Sequence, residues 1–197
     1  MPRGPDKQFD PKAVLQQAML LFWANGYAAT SMADLKAQTG LGTKSLYDTF
    51  GNKRQLYLAV LQHYTDTVVQ QLFAQLPVAD DPMSAVSQVM DTMSRLDQHS
   101  HTGCLLGVAM AQAQLSQDSA LAEFLLTQVQ TIENALLQAF ERAQVQGDLP
   151  AHVQPRDLAR LYTAAFQGAN LISRINTDTT FSSGVNQALQ SLTKTAG

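Results

Sequence analysis

The stretch from Thr30 to Leu58, TSMADLKAQTGLGTKSLYDTFGNKRQLYL, constrains the fold of this chain more than any other segment. Two short segments with polar first residues and apolar residues at helical spacing flank Gly40-Leu41-Gly42. Glycine permits positive φ, so the tripeptide predicts a tight turn, with Leu41 directed inward between the two helices. Gly51 ends the second short helix and Asn52 caps a longer one. This order predicts a helix-turn-helix, a motif whose second helix typically enters the DNA major groove.

A bracing helix is predicted ahead of this motif. Asp10 provides an N-cap carboxylate and Pro11 suits the first helical position. Apolar residues then recur at helical spacing, and Gly26 stops the helix; they are Val14, Ala18, Leu21 and Phe22. We expect a helix-turn-helix domain over residues 10–55, preceded by a flexible basic arm over residues 1–9. The arm either touches DNA or is a terminus without further consequence.

The two short helices each have an inward and an outward side. We expect Thr30 or Ser31 to cap the first and Thr43 to cap the second. The inward residues are Met32 and Leu35, then Leu46 and Phe50; the outward residues of the second helix are Lys44, Ser45, Tyr47 and Asp48. The helix that follows should run to about Gln75.

The charges are distributed unevenly. Residues 1–60 hold seven Lys or Arg and four Asp, a net charge of +3, whereas residues 61–197 hold six basic and twelve acidic residues, a net charge of −6. A basic head on an acidic body suits contact with phosphate at one end only.

The order and spacing of these residues resemble the tetracycline-repressor-like (TetR/AcrR) family of transcriptional regulators. The shared positions are Thr30, Leu35, Gly40-Leu41-Gly42, Leu46-Tyr47, Phe50, Lys53 and Leu56, and the similarity covers residues 10 to about 60. Lys36, Gly42 and Lys44 depart from the family pattern, in which alanine, a hydroxyl residue and glycine are common at these positions. The resemblance implies a DNA-binding regulator, with no catalytic activity and no cofactor, whose operator specificity resides partly in those departures.

Candidate DNA contacts follow from the motif. A lysine can pair with a phosphate or a guanine edge, hydroxyls can bond phosphate oxygens, and the free N–H groups at a helix start favour an anion. The alternative is a merely solvated helix face. The candidate set is Thr30, Ser31, Lys36, Gly42, Thr43, Lys44, Ser45, Tyr47 and Lys53.

The remainder, residues 56–197, has a helical pattern throughout, so the predicted fold class is all-α. Helices should start at Pro82, near Gly103, after Asp118, at Pro155 and near Ser182. The longest apolar run, Gly103 to Ala111, is too short to cross a bilayer, which takes about 20 residues. With no apolar leader at the N-terminus, we expect a cytoplasmic protein that does not associate with membranes.

By resemblance to the family, the last two long helices should form a four-helix interface in a homodimer. The dimer also suits double-stranded operator DNA, on which two recognition helices lie about 34–36 Å apart. The candidate interface residues are Leu125, Val129, Ile132, Leu136, Ala165, Gly168, Ala169 and Ile172.

The body should also hold a small-molecule effector of unknown identity. Methionine and aromatic side chains shape adaptable apolar cavities, although ordinary packing explains any one of them equally well. The candidate pocket residues are Met90, Met93, Cys104, Met110, Phe124, Tyr162 and Phe166.

Cys104 is the only cysteine, so an internal disulfide is excluded. Its place at a helix start suggests a second hypothesis, a repressor switched by oxidants or electrophiles at this thiol. Two other hypotheses are a cysteine-dependent enzyme using His99 or His101, and a metal site made by the three residues. The enzyme hypothesis leaves the first 60 residues unexplained, and the metal-site hypothesis has no evident fourth ligand. A buried, inert thiol is the structural alternative.

Overall fold

The computed structural model describes residues 9–100, 104–116, 118–175 and 180–193, with side chains outside this description at 96–100, 114–116 and 173. Helices joined by turns and loops make up these residues, which contain no strand, and this confirms the all-α prediction. The described chain forms two compact units, divided along the sequence between Asp66 and Thr67. The predicted basic arm lies outside the described residues, except for Phe9.

The first unit contains four helices: α1 Pro11–Ala29, α2 Met32–Thr39, α3 Thr43–Phe50 and α4 Lys53–Tyr64. Asp10 caps α1 through the Lys12 N–H at 2.9 Å, as predicted. Gly26, at φ 77°, interrupts α1 at the predicted end of that helix, and one more helical turn follows it. Asn52 caps α4 through the Gln55 N–H at 2.9 Å.

An aromatic cluster holds α1 against α4. Phe22 meets Tyr57 edge-on with ring centroids 4.9 Å apart, and Trp23 meets Tyr64 at 5.2 Å. Tyr27 lies 4.9 Å from Tyr57. Because these contacts reach Tyr64, α4 packs against α1 well beyond residue 55, the predicted end of the first domain.

The helix begun by α4 continues through a π-helical segment, Thr65–Val69, into α5, Gln70–Phe73. This confirms the predicted long helix to about Gln75, and adds a π segment that periodicity did not indicate. A short 3₁₀ turn, Leu76–Val78, follows.

The second unit is built on five longer helices: α6 Pro82–Ser100, α7 Leu105–Ser116, α8 Ser119–Gln146, α9 Pro155–Ser173 and α10 Phe181–Thr193. Their starts agree with the predicted ones to within about two residues. α8 packs on α6, α7 and α9, and α10 packs on α6 and α9. Leu125, Ile132, Leu136 and Phe140 of α8 are all buried in this core.

Candidate nucleic-acid interface

The start of α2 is fixed by a reciprocal cap between Ser31 and Asp34. The Asp34 N–H donates to the Ser31 hydroxyl oxygen at 3.1 Å, and the Ser31 N–H donates to the Asp34 carboxylate at 2.8 Å. The Ser31 hydroxyl also donates to that carboxylate at 2.7 Å. These bonds lower the pKa of Asp34 from 3.8, and the bond from the Ser31 hydroxyl has the larger effect, followed by the bond from the Ser31 backbone N–H. Ser31 is exposed as predicted, but its hydroxyl is engaged inside the cap.

Thr30 does not offer its side chain to DNA. It is only 1% exposed, and its hydroxyl donates to the Gly26 carbonyl at 2.7 Å. The predicted side-chain contact is therefore corrected: Thr30 closes the end of α1 and leads the chain into α2.

The turn between α2 and α3 has the predicted glycine geometry. Gly40, at φ 70°, ends α2 with its N–H on the Lys36 carbonyl at 3.0 Å. Gly42 occupies the N-cap position of α3, where it provides no side-chain acceptor. Thr43 is the first residue of α3, so its predicted role as the cap is wrong. The start of α3 therefore carries N–H groups that no side chain caps.

α3 is locked to the head by its inward side. Leu46 is buried, as is Leu35 of α2, and Phe50, also predicted to face inward, is half-buried. Lys44 and Thr43 are exposed, Ser45 is half-buried, and Tyr47 is 46% exposed. The predicted outward residues thus share the free side of one helix, two of them in its first turn.

Lys53 lies in the first turn of α4 and is held by neighbouring groups. Its ammonium lies 4.3 Å from the centroid of the Tyr27 ring. Burial lowers the pKa of Lys53 from 10.5, and the charge of Asp34 opposes that shift. Lys53 is half-buried, whereas Lys36, at the end of α2, is exposed.

Comparison with known families decides between a DNA-binding head and an incidental helical motif. Residues 14–60 match the model of the bacterial regulatory proteins of the tetR family, and residues 83–189 match the tetracyclin repressor-like C-terminal domain. The chain belongs to the tetR family. This tetR-family protein is a helix-turn-helix transcriptional regulator rather than an enzyme.

Individual relatives agree with this assignment. The HTH-type transcriptional repressor ComR of Escherichia coli is 34% identical over 176 residues, which cover 87% of this chain and 83% of ComR. A CifR cysteine mutant, solved with 26 bp double-strand operator DNA, has the same fold, with a TM-score of 0.83 at 21% identity over 96% of this chain and 100% of CifR. The reduced form of E. coli NemR matches with a TM-score of 0.82 at 17% identity, covering 94% and 98% of the two chains.

Two of the predicted pocket residues of this tetR-family protein line a cavity in the described part of the body. Met90 of α6 and Phe166 of α9 line a cavity between α6, α9 and α10. The others line no part of it. Met93, Cys104 and Tyr162 are buried in the core, while Met110 and Phe124 are half-buried on α7 and α8.

Cys104 lies immediately before α7, where its carbonyl accepts the Val108 N–H at 3.1 Å, and is only 4% exposed. The predicted placement at a helix start is therefore right. His101 and the His99 side chain lie outside the described residues, so the enzyme and metal hypotheses acquire no geometry from the structure. Among the described residues, no helix is both long and apolar enough to cross a membrane.

The predicted dimer residues fall mostly on the inner side of the body. Leu125, Ile132, Leu136 and Ala169 are buried within the single chain, so they expose little surface to a partner, and their place in the interface stays a prediction. Val129, Ala165 and Gly168 are half-buried, and Ile172 is 41% exposed. The reason is that α8 packs on three helices of its own chain.

Sequence reasoning missed most of the cavity lining, and more than half of the missed residues lie on the last helix, to which it assigned no function. On α10 the inward positions alternate apolar and polar residues at helical spacing. The missed residues are Ser94, Ala169, Asn170, Ser182, Val185, Asn186 and Leu189, of which Ala169 is also a predicted interface residue. Polar Ser182 and Asn186 on the apolar side of a helix were a signal that could have found this site.

Proposed function

We propose that this protein is a homodimeric repressor that binds operator DNA through the outward side of α3 and is released by a small-molecule effector. The observation that carries the proposal is α3 itself, which directs Lys44 and Tyr47 outward while Leu46 fixes the helix to the head. CifR, which shares this fold, has been solved with operator DNA, and this supports DNA binding by such a fold. Phosphate contacts position such a helix, and base-edge contacts specify its sequence.

Uncapped N–H groups add to the DNA-facing character of α3. Its N-cap residue is Gly42, which offers no oxygen to them. The partial positive charge at a helix N-terminus favours a phosphate there, and Lys44 adds a full charge in the same turn. Lys36 and Lys53 extend the positive charge onto α2 and α4.

A stripe on α9 supports the homodimer better than the interface residues predicted from the sequence. Leu161, Ala164, Gly168 and Leu171 of α9, with Ile175 just past its end, repeat at alternating intervals of three and four residues, the spacing of a helix-pairing seam. Leu161 is 44% exposed, Leu171 47% and Ile175 88%. Exposed apolar residues at such spacing mark an interaction surface, and we call this set the α9 stripe.

Neighbouring α10, which packs on α9, also has exposed small and apolar residues. Gly184, Ala188 and Leu192 are exposed at intervals of four residues, so they share one side of that helix. Small residues at two of the three positions allow another helix to approach closely. We therefore assign the interface to α9 and α10, in place of α8 and α9.

The experiment is an electrophoretic shift with the DNA upstream of the protein's own gene at moderate salt. Wild type should give saturable binding, and Lys44→Ala should weaken it by about 1–3 kcal/mol, the range for a base contact. Arg156→Ala is the matched control, since it removes the same charge from an exposed position on α9. Absence of saturable binding to every fragment, or equal losses in the two variants with both dimers intact, would reject the proposal.

Effector release predicts a reciprocal effect. If an effector weakens operator binding by some factor, the operator must weaken effector binding by the same factor. The effector's identity is open, and screening for compounds that release the shifted complex would find it.

A second candidate input is covalent modification of Cys104. Its place at the start of α7 favours a thiolate, whereas its burial opposes rapid reaction with bulk reagents. Cys104→Ser should abolish release of DNA by electrophiles if the thiol is the sensor. Unchanged release in that variant would leave reversible effector binding as the input.

A further inference from the structure

The cavity between α6, α9 and α10 combines an apolar wall with buried polar groups. Met90, Phe166 and Leu189 provide apolar surface, and Asn170, Ser182 and Asn186 provide polar atoms. All six residues are at least nine-tenths buried. An apolar site with a few converging polar groups is the usual composition of a small-molecule site.

Asn186 is the polar group that distinguishes this cavity from ordinary core. It is 4% exposed, and its Nδ2 donates a hydrogen bond to the Asp91 carboxylate. Its Oδ1 is buried and accepts no hydrogen bond from the residues that the structure describes. Leaving a buried acceptor unpaired costs free energy, so nearly all such groups in native proteins have a partner.

The bond to Asp91 also fixes which end of the amide is unsatisfied. A carboxylate only accepts, so the NH₂ end of Asn186 must face Asp91 and the carbonyl oxygen must face away. The missing partner is therefore a hydrogen-bond donor.

The size of the cavity limits what can supply that donor. With its open mouth included the space is about 280 Å³, and the volume in which the centre of a water molecule can lie is only about 10 Å³. That is room for about one water molecule or one hydroxyl group, far below the roughly 300–1,000 Å³ of drug-sized sites. A ligand must be small, and unbranched Met90 is the lining side chain best able to move for it.

We propose that this cavity is an effector subsite for small, largely apolar molecules that carry one hydrogen-bond donor, which the Asn186 Oδ1 accepts. The claim that the bound molecule is an effector rests on the proposed function. The claim that the cavity binds it does not, since binding itself is independent of DNA. It adds to that function a ligand class and a residue that selects it.

The test uses phenol and toluene, which have the same shape and differ by one hydroxyl group. Both are titrated by calorimetry into the full-length wild-type protein without DNA. The ratio of their Kd values, phenol to toluene, is compared with that of Asn186→Leu, which removes the amide at similar volume. Asn134→Leu, the same substitution at an exposed position on α8, is the matched control.

We expect saturable phenol binding to wild type, and a Kd ratio that rises at least about fivefold in Asn186→Leu, the value of one neutral hydrogen bond. Asn134→Leu should leave the ratio unchanged. Should Asn186→Leu fail to fold, as judged by circular dichroism, Asn186→Ala gives the same comparison with the acceptor removed and the space retained.

Two results would overturn the proposal: no saturable binding of phenol by wild type at millimolar concentration, or a ratio unaffected by removal of the Asn186 amide. Neither result concerns the operator, so the DNA-binding proposal would stand. Conversely, if the wild-type protein binds phenol through Asn186 but shifts no DNA, the proposed function is rejected and the binding site in the cavity still stands.

Discussion

At the scale of single residues, polar and charged side chains in the head hold the helices together as well as meeting solvent. Thr30 illustrates this, because the hydroxyl expected at the DNA surface closes α1 instead. Lys53 also contributes to holding the helices together, because its ammonium lies over the Tyr27 ring of α1 while its backbone begins α4. A cation held over an aromatic ring is ordered before DNA arrives, which lowers the entropic cost of a phosphate contact there.

Tyr57 gives a prediction in which a polar atom works against stability. Its hydroxyl is buried and makes no hydrogen bond to the described residues. Tyr57→Phe should therefore stabilise the head by about 1 kcal/mol or more, because the ring contacts remain and the unpaired group is gone. Urea unfolding followed by the fluorescence of Trp23, the only tryptophan, reports on this unit. A loss of stability would show that the hydroxyl has a partner in solution.

The same residue sets a pH dependence. Burial, and secondarily the charge of Tyr27, raises the pKa of Tyr57 above 10.0. A raised pKa means that the unfolded chain loses its proton first, so Tyr57's contribution to stability is complete below pH about 10 and lost as the pH rises above it. The stability advantage of Tyr57→Phe over wild type should therefore widen above pH 10 in the same Trp23 measurement. A constant difference up to pH 11 would contradict this cause.

Gly51 gives a further prediction at this scale. Its φ is 77°, and a Cβ added there would collide with the side-chain amide of Gln55, whose oxygen accepts the Asn52 N–H at 2.8 Å. Gly51→Ala should lose about 1–3 kcal/mol to backbone strain and about 0.5–2 kcal/mol more to the broken cap. Gly40→Ala, also at positive φ but with open space, should lose only the first amount. Equal losses in the urea midpoints would show that the cap adds nothing.

At the scale of elements, α9 performs two tasks with two sides. Its buried side, which includes Leu158, Tyr162 and Ala169, packs within the chain, and the ring of Tyr162 meets that of Phe140 at 5.1 Å. Its other side carries the α9 stripe. The small residues at 164, 165, 168 and 169 suggest one close-packed side when read as sequence, but they divide between the two sides because neighbouring residues lie about 100° apart on a helix.

The α9 stripe predicts where a charge abolishes dimerisation. Leu171→Glu should shift the protein towards monomer, because it would place a carboxylate in an apolar seam. Leu126→Glu is the matched control, since Leu126 is 58% exposed on α8, outside the proposed interface. Sedimentation velocity measures both masses. A dimer retained in Leu171→Glu, or lost in Leu126→Glu, would move the interface to another helix.

At the scale of the whole molecule, the net charge changes sign near the boundary between the two compact units. Residues 1–60 carry +3 and residues 61–197 carry −6, and the two compact units divide at nearly the same place, between Asp66 and Thr67. DNA attracts the first unit and repels the second, so the electrostatic part of operator binding comes from the head.

This division predicts the salt dependence of operator binding. The logarithm of the binding constant should fall linearly with the logarithm of salt concentration, with a slope of about −0.9 for each phosphate neutralised. If Lys44 contacts a phosphate, Lys44→Ala should reduce that slope by about one, and Arg156→Ala should leave it unchanged. An unaltered slope with weaker binding would instead assign Lys44 to a base edge.

The sequence by itself determined the features that depend on neighbours along the chain. Caps at Asp10, Asn52 and Asp118, the turn at Gly40 and the succession of helices follow from local backbone chemistry, which a window of a few residues contains. The family pattern has the same local character, because its positions follow one another within about 30 residues, so the sequence was enough to recognise it.

Tertiary structure alone decided which side of each long helix is inside. Periodicity shows that α8 and α9 have apolar residues at helical spacing, but it does not show whether the surface opposite belongs to the same chain or to a second copy. Ile132 has the spacing expected of an interface residue, and it lies in the core of its own chain. The buried Asn186 acceptor depends on three helices meeting at residues 90, 166 and 186, far apart in sequence and adjacent only after folding.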